Sequence, residues 1–309
     1  MRREASVAIA WAALLIVLAF AAPGFFSAGN LRDLLLANVS TLLAASGMTL
    51  VILAGEIDIS IGSMFAVLAV IAGLSARAGL PMPLAALTAA GVGALLGAAN
   101  GGLIAGMRMP SIVVTLATMI LWRNALNWAT GGAWIENLPS SFQWFGLGQT
   151  AGEVFILTVA AVLVVALGWV LKNIAAARAV YATGAGAESA RLAGIPVRRV
   201  VFWVFVWMGA MTGLAAVLDA VRFREVQSNA GVGLELKAIA AVVVGGASIT
   251  GGRGTLLGTG LGVGLLASIG PALTFLHISP SWEKAIQGAI ILASVVIDFA
   301  RGAEARKNG

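Results

Sequence analysis

Ten apolar runs, parted by short polar or glycine-rich breaks, fill this sequence almost from end to end. A helix needs about 20 apolar residues to cross the hydrocarbon core of a bilayer. Runs of that order fall near 7–26, 34–54, 61–79, 83–106, 111–130, 153–172, 200–221, 235–250, 255–276 and 283–300. Only 10% of the residues are charged, against roughly 25% in soluble domains. The expectation is an all-α integral membrane protein of about ten transmembrane helices with glycine-interrupted segments, one transmembrane domain over 1–309. No stretch between the runs is long enough for a folded soluble domain, so soluble partners must be recognised by short loops.

Ten spans put both termini on one side. With both termini cytoplasmic, 12 of the 19 Lys and Arg residues fall inside, among them Arg2, Arg108, Lys172, Arg178, Arg191, Arg198, Arg199, Arg253, Arg301, Arg306 and Lys307. The remaining 7, including Arg32, Arg123, Arg222, Arg224 and Lys237, fall outside. That bias fits the positive-inside rule, and it also accounts for the net charge of +6. No basic run carries interleaved aromatics, so nucleic acid is not an expected partner; membrane lipid is. Trp122, Trp128, Trp134 and Trp144 gather around one outer loop, as interfacial aromatics do. Arg2 and Arg3 ahead of an apolar run, with Ala19-Phe20-Ala21 behind it, resemble a signal peptide. An uncleaved first span is expected instead, because everything downstream also needs membrane insertion.

Several chemistries are excluded. The chain has no Cys, hence no disulfide or thiolate metal site. Its one His, His277, argues against a His-based metal centre or relay. There is no G-x-x-x-x-G-K-[ST], and Gly251-Gly252-Arg253-Gly254 lacks the Lys-Ser/Thr that phosphate binding requires. No catalytic residues, metal or cofactor are expected in this chain.

Two segments break the apolar pattern. Residues 54–63, AGEIDISIGS, set Glu56 and Asp58 at the junction of two runs, and 242–254, VVVGGASITGGRG, interrupt a run with five glycines, among them Gly245, Gly246, Gly251 and Gly252 around Ser248. Irregular backbone at membrane depth survives only inside protein or beside a watery cavity. Two such segments in separate halves point to a transport pathway. Asp58 with Ser60 can cap the helix beginning near Ile61, or, as an ionisable group at the membrane boundary, fix a gate. Ser111, Thr115 and Thr118 share one helical face, and Asn100 adds an amide. These groups either bond helix to helix or line a weakly polar passage for a neutral, hydroxylated solute.

The polar, basic loop 173–199 contains YATGAGAESARLAGIPVRR at 181–199. Its centre reads as one short helix with Glu188 and Arg191 on one face, a cap at Gly194, and Pro196 forbidding continuation. Residue chemistry alone leaves it as an ordinary cytoplasmic loop or as a grip for a soluble partner. On the opposite side Asp219, Arg222, Arg224 and Glu225 form a charged cluster. This is either a solvated loop or a docking surface for an extracytoplasmic protein, with Glu136 and Glu283 as companions. Glu235 and Lys237 open the next run and are expected to pair with each other.

Taken in order, GEIDISIG (55–62), GAANGGLIAGMRMPSIVVTLAT (97–118), TGGAWIENLP (130–139), the 181–199 stretch and GLELKAIAAVVVGGASITGGRGTLLGT (233–259) resemble the ribose-type carbohydrate permeases of ATP-binding-cassette importers. Within that branch, the TGG-x-W-I-E-x-L-P piece is closest to the rhamnose and autoinducer-2 permeases. The resemblance implies a multi-pass permease of the bacterial inner membrane paired with a second copy or a paralogue. It also implies cytoplasmic ATPase subunits, which bind the ATP and magnesium, and a periplasmic sugar-binding protein. It assigns Ala187, Glu188, Ala190, Arg191, Ala193 and Gly194 to a helix that couples the ATPase to the membrane helices. It also makes GGASITGGRG a glycine-rich gate. One departure is Gly184-Ala185-Gly186-Ala187, where family members often carry Asn or Asp. The mechanism implied is ATP-driven alternating access for rhamnose, another monosaccharide or autoinducer-2. The alternative is a secondary transporter or channel without an ATPase partner, which would need intramembrane coupling carboxylates or a regular filter. An intramembrane enzyme would need a ligand set or a nucleophile with its base, and neither is evident.

Overall fold

The computed structural model describes residues 3–307. Arg2, and the side chains of Arg301, Arg306 and Lys307 that entered the charge count, lie outside the described residues. The chain folds as helices: α1 (Arg3–Ala21), α2 (Ala28–Ala37), α3 (Val39–Leu53), α4 (Ile61–Arg77), α5 (Met82–Gly101), α6 (Ser111–Thr130), α7 (Gln149–Asn173), α8 (Ala175–Ala185), α9 (Ala187–Leu192), α10 (Val197–Ala220), α11 (Leu234–Val244), α12 (Leu256–Phe275) and α13 (Trp282–Lys307). Among the described residues there is no strand, only an isolated antiparallel bridge between Ile135 and Val226.

Each expected apolar run holds a helix, but not each helix is a full span. Five are long and apolar enough to cross a membrane, and the α2–α3 pair, bent by 42° at Asn38, makes a sixth. The shortfall has local causes. α4 has 17 residues, and α11 stops after 11, where Gly245 and Gly246 end it. α6 carries Arg123, Asn124 and Asn127 within its length.

The core is built on α3 and α10. α3 is apolar all round, and every residue but Leu42 is buried, as expected of a helix enclosed by others. α10 lies against α3, α4 and α5. Its contact with α5 is a backbone-to-backbone seam: Ala89, Gly93, Gly97 and Gly101 on α5 meet Phe202, Phe205, Gly209 and Gly213 on α10. These positions recur three or four apart, so each set is one stripe. A Cβ at Gly209 would collide with the Gly93 carbonyl, and one at Gly97 with the Phe205 carbonyl. Small residues at such spacing let helices in a membrane approach closely enough for dispersion to hold them. A second seam of the same kind joins Gly245 to Gly258 and Ala241 to Gly262, between α11 and α12.

Candidate functional site

At one end of the bundle three chain segments meet with only main chain between them. α3 ends in a Schellman turn, with Gly55 N–H bonded to Ile52 O and Glu56 N–H to Val51 O. α11 ends the same way, with Gly246 N–H on Val243 O and Ala247 N–H on Val242 O. Both turns use a left-handed glycine, Gly55 at φ 84° and Gly246 at φ 95°, the conformation this cap requires. The loop from α11 then folds back so that Gly252 N–H donates to Leu53 O at 2.9 Å. Gly184, near the end of α8, enters from the third direction. A Cβ there would strike the Leu53 carbonyl and lie 2.6 Å from Gly252 N. One on Gly251 would lie 2.8 Å from Gly55 Cα and 2.9 Å from Gly184 O. Tyr181, one turn earlier on α8, donates its hydroxyl to Gly254 O at 3.1 Å. Burial pushes the phenol above its ordinary pKa, with the charge of Glu4 adding to the effect.

Both glycine-interrupted segments singled out in the sequence therefore converge here, joined by α8. Ser248 sits inside the second loop, its N–H on Arg253 O at 2.8 Å and its hydroxyl 3.0 Å from Thr250 Oγ1. The convergence itself is not legible in the sequence: Gly184 stands out there only as a missing polar residue, and no local pattern marks Tyr181 or Leu53 as its partners.

Directly after α8 comes α9, the short helix expected at this place. Gly194 N–H bonds Arg191 O and Ile195 N–H bonds Ala190 O, both at 3.0 Å, closing a Schellman cap with Gly194 at φ 80°. Ala190 is buried, while Ala187, Glu188, Arg191, Ala193 and Gly194 are exposed. Glu188 and Arg191 form a forked pair at 2.5 and 3.1 Å, which holds the Glu188 carboxyl below its ordinary pKa. A cavity of about 540 Å³ opens beside α9, walled by Glu56, Arg108, Glu188, Arg191 and Arg198 among others. Glu56 thus belongs to the α9 surroundings. Burial raises its pKa and the Ser111 hydroxyl partly offsets this.

Asp58, Ser60 and Asn100 form a fully buried polar knot at the entry to α4. Asp58 Oδ1 accepts from Ser60 N at 2.9 Å and Ser60 Oγ at 2.5 Å, and Asn100 Nδ2 donates to Ser60 Oγ at 2.9 Å. Asp58 therefore holds the residue that opens α4, with no bond from its carboxylate further into the helix. Asp58 Oδ2 and Asn100 Oδ1 have no hydrogen-bond partner among the described residues. Ser111, Thr115 and Thr118 on α6 are buried as well. Ser111 Oγ accepts from Ile57 N–H at 3.3 Å, while Thr115 and Thr118 bond carbonyls of their own helix. Ser111, and Thr115 through Ile57 O at 3.5 Å, fasten the segment before α4, whereas Thr118 bonds only within α6.

At the far end, the loop between α6 and α7 is stitched to the segment after α10. Ile135 and Val226 exchange both main-chain bonds, Trp144 N–H donates to Val221 O at 2.7 Å, and Ser228 Oγ to Gly132 O at 3.0 Å. Glu136 is exposed and flanks that bridge, as does Glu225. Arg222 is turned back onto Asp219 at 3.1 Å and over the Phe223 ring, and Arg224 reaches Gln143 at 3.3 Å. Glu283, the other expected companion, packs against Gly270 of α12 and accepts from Gln287.

Arg123, counted among the outer charges, is half-buried. Its guanidinium donates to Ala230 O at 3.1 Å and Gly62 O at 2.9 Å, tying α6 to the first turn of α4 and to the segment before α11. Glu235, expected beside Lys237, has its carboxylate packed against Gly62.

Residues 30–295 match the family described as branched-chain amino acid transport system / permease component. The chain is 36% identical over 292 residues to the autoinducer 2 import system permease protein LsrC of Escherichia coli O9:H4 (strain HS), covering 93% of this chain and 85% of that protein. It is 37% identical over 297 residues to the protein of the same name from Enterobacter sp. (strain 638), covering 96% and 86%. Against that of Yersinia pseudotuberculosis serotype O:1b (strain IP 31758) the identity is 34% over 296 residues, covering 96% and 84%. No solved structure matches the chain.

Proposed function

Because this chain belongs to the family of branched-chain amino acid transport system permease components, a multi-pass group of the bacterial inner membrane, we propose that it is the membrane-spanning subunit of an ATP-binding-cassette importer. Its solute is autoinducer-2 or a related monosaccharide such as rhamnose. The likeness to LsrC along 93% of the chain supports autoinducer-2 first. A periplasmic binding protein delivers the solute, a second permease copy or a paralogue completes the passage, and cytoplasmic ATPase subunits supply the work. The chain itself is not the catalyst. It crosses the membrane ten times, with both termini and loop 173–199 in the cytoplasm; α4, α6 and α11 complete the count beside the longer helices.

The observation that carries the mechanism is the glycine junction. α9 exposes Glu188 and Arg191 at the end of the bundle where α8 touches both interrupted loops. A push on α9 from an ATPase reaches Gly55 on one side and Gly251 and Gly252 on the other. In this reading Ala187, Glu188, Ala190, Arg191, Ala193 and Gly194 form the coupling helix. Gly245, Gly246, Ser248, Gly251 and Gly252 form one half of the gate. Glu56, Asp58, Ser60, Asn100, Thr115 and Thr118 frame the other. Glu136, Arg222, Arg224 and Glu225 lie on the face that receives the binding protein.

Reconstitution tests this directly. The permease with its ATPase and binding protein in proteoliposomes should accumulate autoinducer-2 only when ATP is supplied. Uphill uptake by the permease alone would favour a secondary transporter.

A further inference from the structure

Arg123 stands in an apolar stripe. Leu116 and Ile120, seven and three residues before it on the same face of α6, are exposed, as are Val232 and Leu236 on the neighbouring segment and α11. The guanidinium has five N–H donors and no acceptor. Two are used, on Ala230 O and Gly62 O, and no bond joins the other three to any described residue. Each unsatisfied donor in hydrocarbon costs several kcal/mol, so a face carrying three spare donors does not lie against lipid tails. The nearby Glu235 carboxylate, whose charge acts on Arg123, offsets the cation without supplying a bond to it. What this arrangement presents is a fork of donors, close to neutral in sum, on an apolar wall.

We propose that Arg123 is a solute-contacting residue whose free N–H groups take the hydroxyl and carbonyl oxygens of a neutral, oxygen-rich solute passing along α6. The two carbonyls it holds fix the guanidinium on that wall. The assignment deepens the importer reading above and rests on it for the identity of the solute.

Two measurements test it, and the first does not depend on ATP. The chain has no cysteine, so single cysteines at Leu116 and Ile120, with Leu87 on α5 as an exposed apolar control, report water access in the assembled complex. A charged methanethiosulfonate reagent should modify the two α6 positions and leave Leu87 unmodified. Modification of none of the three, with a lipid-soluble maleimide reaching all, overturns the proposal even if the complex imports solute. The second measurement is autoinducer-2 transported per ATP hydrolysed. Arg123→Gln should lower that ratio about tenfold, with Arg123→Lys between it and the wild type. An unchanged ratio, whether both rates persist or both fall together, reduces Arg123 to a structural tie and overturns the proposal. If wild-type uptake proves independent of ATP, the importer reading fails and the cysteine result still decides for or against a solute-facing Arg123. Should Arg123→Gln not assemble, Arg123→Lys carries the ratio test.

Discussion

Gly252 donates its amide hydrogen to the carbonyl of Leu53, 199 residues earlier, and Gly184 of α8 lies against both partners. The hydrogen bond closes the loop ahead of α12 onto the last turn of α3. Leu53 directly precedes one interrupted segment and Gly252 lies in the other, so this contact joins the two halves of the chain.

Gly184→Ala should be among the most damaging small substitutions here. The added methyl meets main-chain atoms of Leu53 and Gly252, which cannot rotate away, so a cost of about 1–3 kcal/mol from overpacking is expected. Gly186→Ala, two residues on, meets nothing closer than 3.7 Å and should be near neutral. Thermal unfolding in detergent, followed by tryptophan fluorescence, separates the two. Equal midpoints would contradict the tight junction.

The α5–α10 seam makes a similar contrast. Gly209→Ala forces apart two helices in backbone contact and should lower the same midpoint, again by about 1–3 kcal/mol. Gly91→Ala, on the open side of α5 with nothing within 4 Å, should raise stability by about 0.4–1 kcal/mol by restricting the unfolded chain.

Exchanging Glu188 and Arg191 preserves the ion pair within α9 while reversing the charges shown to a partner. Uptake driven by the ATPase should fall sharply with unfolding unchanged, since exposed pairs contribute little to stability. Full uptake by Glu188→Arg/Arg191→Glu would remove α9 from the coupling path.

Tyr181 is the only tyrosine in the chain, so its titration can be read without assignment. Burial, with the charge of Glu4, raises its folded pKa above the ordinary 10.0. The sign follows: the stabilisation is fully present below the unfolded pKa and is lost as pH rises through the higher folded value. The tyrosinate absorbance of the folded permease should therefore appear at more alkaline pH than that of the denatured chain. Tyr181→Phe should flatten the alkaline fall in stability and lose about 0.5–1.5 kcal/mol with the bond to Gly254.

Orientation has its own test. Ala187→Cys, exposed on α9, should react with a membrane-impermeant thiol reagent only from the cytoplasmic side. Reaction from outside in intact cells would invert the assigned topology.

Local features were legible in the sequence because local rules govern them. Gly194 and Pro196 mark the end of α9, and the glycines at 245 and 246 mark the break after α11, since only glycine takes the required left-handed turn at no steric cost. Long-range contacts were not legible. Arg123 counts as an outer charge in the sequence, and no local pattern there shows that the segment after α10 brings Ala230 and Glu235 to the first turn of α4. Nor does Gly184 carry a signal of its own: what matters there is the absence of a side chain, and its contacts lie more than 60 residues away in either direction. The hydroxyls of α6 share one face as expected, but that face is spent on Ile57 and on their own helix.

The meeting of Gly55, Gly184, Gly251 and Gly252 also bears on how such a protein can move. Most joints between helices are padded by side chains, which absorb a small displacement by changing rotamer. Here there is no padding. A tilt of α8 can only be passed on whole or break the contact, so the joint works like a clutch plate, engaged or released, with little slip between.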